Sequence, residues 1–107
     1  MVDETVLYEA QRLITNDRNK AYDHPLDNFA RIAKGWSVIF NSEVTEEQVA
    51  LAMTWVKICR EVHQHSRDNI VDGAGYLGTL QMVIDERELR ANKNDFYVGI
   101  QVSLFWY

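Results

Sequence analysis

Apolar positions recur with helical spacing in four stretches of this chain and with a spacing of two in a fifth. Val6, Leu7, Ala10, Leu13 and Ile14 fall on one stripe, which predicts an amphipathic first helix that Asp3 can cap and that ends near Thr15. A polar, turn-rich run at 16–20 follows. Pro25 favours the first turn of a helix and restrains the residue before it, so a second helix should start there, with Phe29, Ile32, Ala33, Trp36, Ile39 and Phe40 on its buried face. Thr45 and Gln48 have the spacing of a capping box, which starts a third helix whose Glu46 and Glu47 suit the positive end of the dipole. From 49 to 62 this helix is apolar almost all round, the pattern of a central helix covered on most sides.

Residues 63–65 make a short connection, and Ser66 caps a fourth helix that should fray near Asn92. Gly73, Gly75 and Gly78 each cost roughly 1 kcal/mol of helix propensity against Ala, so their clustering predicts that another backbone packs close by. Beyond, Val98, Ile100, Val102, Leu104 and Trp106 alternate with mostly polar or small residues, which reads as an extended strand. A lone strand leaves backbone groups unpaired, so it should meet its twin in a homo-oligomer or lie on the bundle. The expected architecture is all-α, a four-helix bundle-like domain over 1–92 with an extended C-terminal segment over 93–107.

Composition narrows the function without naming it. With 107 residues, 47% hydrophobic and 25% charged, the chain suits one folded domain. A net charge of −5 argues against duplex nucleic acid, whose binding needs a basic surface, but allows a small phosphorylated ligand held by a few converging cations. One cysteine, Cys59 in an apolar helical stretch, excludes an internal disulfide and suits an inert core thiol in a reducing compartment. No signal-like amino terminus and no membrane-length apolar run are present, which points to the cytoplasm. Trp36, Trp55 and the methionines are expected in the core.

The candidate chemistry lies between helices three and four. A short connection makes them antiparallel and brings Glu61 level with Asp68, Arg60 with Asn69, and Lys57 with Asp72. Two readings stay open here. In one, Lys57 and Asp72 form a buried ion pair, with Arg60 and Glu61 fixing helix register. In the other, Glu61, Asp68 and Asp72 offer the oxygen ligands that suit Mg²⁺, while Lys57 and Arg60 meet a ligand's phosphates and Asn69 is a further substrate-binding candidate. The loop before helix two adds Arg18, Lys20 and Tyr22 as substrate-binding candidates, the ring for stacking on a base. Asp23 and His24 stand beside Pro25, where a histidine is expected to cap rather than ligate. No zinc spacing, nucleophilic triad or glycine-rich phosphate loop is present.

The blocks DRNKAYDHPLDNFARIAKGWS, VALAMTWVKICR and RDNIVDGAGYLG, in that order, resemble a group of small phage-encoded proteins near the MazG-like, all-α nucleoside triphosphate pyrophosphohydrolases. The likeness covers about 6–88. It implies a helical, MazG-like oligomer holding Mg²⁺ between a Glu-x-x-Glu motif and a Glu-x-x-Asp motif. Such an enzyme cleaves nucleoside triphosphates to monophosphate and pyrophosphate. The second motif appears in part as Asn69-Ile-Val-Asp72, with Asp68 beside it. Lys57-Ile-Cys-Arg60 stands where the first is expected, leaving Glu61 as the acid there. After Tyr22 the group carries Gly and Asp, whereas this chain has Asp23 and His24. The resemblance therefore implies Glu61 and Asp72 as catalytic residues in the host cytoplasm. A nucleotide-binding module without turnover and a structural, dimeric adaptor are the alternatives.

Overall fold

The computed structural model describes the backbone of residues 4–17 and 23–106 and the side chains of residues 4–15 and 23–93. Asp3, Arg18, Lys20 and Tyr22 lie outside the described residues. Four helices pack together, and no strand occurs among the described residues. They are α1 (Val6–Arg12), which runs into a wider π-helical stretch over Leu13–Asp17, then α2 (Pro25–Phe40), α3 (Glu46–His63) and α4 (Arg67–Trp106). The all-α bundle-like class expected from the periodicity is what the chain adopts.

Local chemistry accounts for the helix starts. Thr5 caps α1 by accepting from the Tyr8 N–H. His24 Nδ1 accepts from the Leu26 N–H at 3.0 Å and Pro25 opens α2, so the histidine caps as its neighbours suggested. The Thr45–Gln48 capping box is complete in both directions. α2 ends at Asn41, whose left-handed backbone (φ 51°) suits asparagine's short polar side chain.

The core gathers Leu26, Phe29 and Ala33 of α2, Val49 and Ala50 of α3, and Val83 of α4, with Trp36, Met53 and Tyr76 against it. Ala10 and Ile14 of the first helical segment are buried as well. The α4 glycines admit a side chain rather than a backbone: a Cβ on Gly78 would sit 2.7 Å from Ile14 Cδ1, and one on Gly75 would sit 3.4 Å from Ile14 Cγ2. Ile14 thus docks α1 onto α4.

Several expectations need correction. Leu7 is 73% exposed on the outer side of α1; Ile39 and Phe40 are 72% and 64% exposed, because the core cluster on α2 stops at Trp36 and nothing described covers the last turn of that helix. Trp55 is 64% exposed and Cys59 is exposed, so neither belongs to the core. Both stand on α3, which packs against α2 and α4 but not α1, and its outer side is therefore bare. The extended tail is also corrected: α4 continues helically to Trp106 without fraying at Asn92. A helix closes its own backbone hydrogen bonds, whereas a strand would need a neighbour the bundle does not supply. None of the described helices is long and apolar enough to cross a membrane.

Candidate functional site

The α3–α4 hairpin brings together part of the expected constellation. Lys57 Nζ lies 2.9 Å from Asp72 Oδ2, with the two side chains only 14% and 23% exposed. One turn closer to the connection, Glu61 accepts from the Ser66 N–H at 3.0 Å and from Asn69 Nδ2 at 3.2 Å, and meets His65 Nδ1 at 2.5 Å. The hydrogen bond from His65, followed by that from Ser66, holds the Glu61 carboxyl below its ordinary pKa. Arg60 and Asp68 are exposed, and their side chains make no hydrogen bond or ion pair among the described residues.

This arrangement does not fit Mg²⁺. Both oxygens of Glu61 are engaged in closing the turn, Asp72 faces the Lys57 ammonium, and Asp68 stands apart in solvent. Among the described residues, no group of three or more His, Cys, Asp or Glu side chains is placed to hold a metal ion. The trio Glu61, Asp68 and Asp72 is thus not assembled as a ligand set. A divalent cation would have to displace an ammonium already paired with its acid.

A second polar cluster escaped sequence reasoning. Arg90 reaches from α4 to clasp Asp27 in the first turn of α2 through two bonds of 2.8 and 2.9 Å, and donates to Glu86 at 3.2 Å. One turn earlier, Arg87 bridges Glu46, at 3.0 Å, and Glu47 in the first turn of α3. The Arg90 contact lowers the Asp27 pKa, and the Arg87 contact lowers that of Glu47. Two guanidiniums three residues apart therefore fasten two acidic helix starts to one long helix. The signal was present in the acids of those first turns, but which cations would meet them depended on packing.

A cavity of about 490 Å³ opens where α2, α3 and α4 meet the end of the first helical segment. Phe29, Trp36 and Tyr76 place aromatic rings on its wall, and Asp23, Asn28 and Thr79 add polar groups. Asp23 has a left-handed backbone (φ 67°) and its carboxylate meets Arg31 at 3.5 Å at the exposed rim. Ring faces set among a few polar groups can hold a flat, polar, heteroaromatic molecule, and this volume is within the usual range for small-molecule pockets. Sequence reasoning assigned Phe29 and Trp36 to the core. They serve it, but they also line open space.

Residues 5–84 match the family model described as a domain of unknown function, DUF6378. The chain belongs to this family. The matched stretch contains every cavity and hairpin residue named above and stops before the far half of α4. Two similar curated proteins are both called Gene 55 protein. That of Mycobacterium phage D29 is 40% identical over 86 residues, covering 79% of this chain and 57% of the relative. That of Mycobacterium phage L5 is 35% identical over 88 residues, covering 78% of this chain and 56% of the relative. The chain thus spans a little over half the length of these curated relatives. No solved structure gives a significant match.

Proposed function

We propose that this chain is a binding module that takes a nucleotide or a related base-bearing small molecule in the aromatic cavity, without metal-dependent turnover. The observation that carries this reading is the cavity itself: about 490 Å³, with the Phe29, Trp36 and Tyr76 rings set among Asp23, Asn28 and Thr79. The rings would cover the faces of a base while the amide and hydroxyl groups meet its edge. The resemblance to the MazG-like enzymes supports a nucleotide as the ligand class, and the phage relatives support a role during infection. Hydrolysis to monophosphate and pyrophosphate is the less favoured reading, because Glu61 and Asp72 are committed to the turn and to Lys57.

Calorimetric titration with each deoxynucleoside triphosphate and monophosphate tests the proposal, with pyrophosphate release in Mg²⁺ followed in parallel. Saturable binding without pyrophosphate is expected, weakened about tenfold or more by Asn28→Ala, which removes a polar group from a half-buried position. Binding that ignores Asn28→Ala, or no binding by any nucleotide, overturns the assignment of the cavity. Steady pyrophosphate release abolished by Asp72→Asn would restore the hydrolase.

A further inference from the structure

We infer that the aromatic cavity selects guanine among the bases, which rests on the reading of that cavity as a base-binding site. Its polar groups make the choice. Asp23 and Asn28 line it from the segment that opens α2, one before the His24 cap and one after it. Among the described lining residues, the Asp23 carboxylate is the one formal charge. Its contact with Arg31 is long, 3.5 Å between side chains 75% and 59% exposed, so a ligand displaces it at little cost. The half-buried side-chain amide of Asn28 makes no hydrogen bond among the described residues. Neither does the hydroxyl of Thr79, a cavity-lining residue only 4% exposed. Leaving a buried hydroxyl without a partner costs stability, so its place on a cavity wall points to a polar guest.

The donor and acceptor pattern of each base decides which one these groups fit. An ionised carboxylate only accepts hydrogen bonds, whereas a side-chain amide donates as well. Guanine sets two donors, its ring N1–H and its 2-amino group, side by side on one edge with the O6 acceptor next to them. The two oxygens of Asp23 can take both donors at once, and an N–H of Asn28 can meet O6. Adenine and cytosine place a ring-nitrogen lone pair beside their amino group, so one carboxylate oxygen would face a lone pair. Uracil and thymine hold a single N–H between two carbonyls and would set an oxygen against an oxygen. A simple organic cation would satisfy Asp23 but would leave the Asn28 amide hydrogens and the Thr79 hydroxyl unmet. The Phe29, Trp36 and Tyr76 rings supply the cover that a flat bicyclic base needs on its faces.

Calorimetric titration of the full chain with the monophosphates of guanosine, inosine, adenosine, cytidine, uridine and xanthosine tests this, because the phosphate is the same in all six. Guanosine monophosphate should bind about tenfold or more tighter than the adenosine, cytidine and uridine compounds. Inosine monophosphate, which lacks only the 2-amino group, should bind about fivefold weaker than guanosine monophosphate. Asp23→Asn exchanges one acceptor oxygen for a donor, and asparagine tolerates the left-handed backbone (φ 67°) at this position. That variant should lose about tenfold or more for guanosine monophosphate and gain for xanthosine monophosphate, which carries a carbonyl where guanine has its amino group. If Asp23→Asn does not fold, the guanosine-to-inosine ratio of the unaltered chain carries the test. Equal binding of all six compounds, or a preference for adenosine or cytidine, overturns the inference while the cavity stays a base-binding site. So does an Asp23→Asn variant that weakens all six alike. Absence of binding by any of them overturns this inference and the base-binding reading together.

Discussion

Lys57 and Asp72 illustrate how little a residue's type says about its task. Their approach to 2.9 Å in a largely buried setting means that neither can lose its partner cheaply. Asp72→Asn should lower the unfolding free energy by about 1–3 kcal/mol, less than a fully buried pair would lose because water still reaches both groups. The double replacement Lys57→Met with Asp72→Leu should recover most of that loss, and urea denaturation of the three proteins checks both outcomes. Glu61 makes a pH-dependent contribution of a different kind. Its folded pKa lies below the ordinary carboxylate value, so the stability it adds is fully present at neutral pH and is lost as pH falls through the folded value. Glu61→Gln should therefore flatten the dependence of Tm on pH below about pH 4.3, near the ordinary glutamate pKa, with the largest deficit against wild type near neutrality.

At the scale of elements, the glycines separate propensity from packing. Gly35 stands exposed in α2, and a Cβ there would meet nothing within 4 Å. Gly35→Ala should stabilise the protein by about 0.5–1 kcal/mol, read from the urea midpoint at unchanged slope. Gly78 sits in an equally helical setting but faces Ile14, so Gly78→Ala should gain nothing, and Gly78→Leu should cost about 1–3 kcal/mol by forcing α1 off α4. The beginnings of α2, α3 and α4 were legible because Pro25, the Thr45–Gln48 pair and Ser66 act within a few residues of themselves. The end of α4 was not. Alternation at 98–106 fits a strand and a helix alike until the availability of a backbone partner is known.

For the molecule as a whole, the Arg87 and Arg90 contacts hold the starts of α2 and α3 against a helix that runs well past them. Asp27 and Glu47 both have lowered pKa values, so the clamp's contribution is present above the ordinary carboxylate range and is lost as pH falls through their folded values. Arg90→Met should lower stability at pH 7 only modestly, because both side chains of the Asp27 contact are well exposed. Thermal melts should show the deficit shrinking at pH 3 and in high salt.

The sequence by itself determined the all-α class, the caps of α2, α3 and α4, though not the Thr5 cap of α1 where Asp3 was expected, and the antiparallel pairing that sets Lys57 against Asp72. Each of these follows from chemistry local to one helix or one short turn. Only the tertiary structure decided that Glu61 closes the turn and that Arg60 and Asp68 face water. It also decided that Phe29 and Trp36 border open space and that α3 keeps a bare apolar side. The open space beside Phe29 and Trp36 and the bare side of α3 depend on how helices remote in sequence come to rest against one another, and an apolar residue carries no mark of whether its cover is supplied from within its own chain.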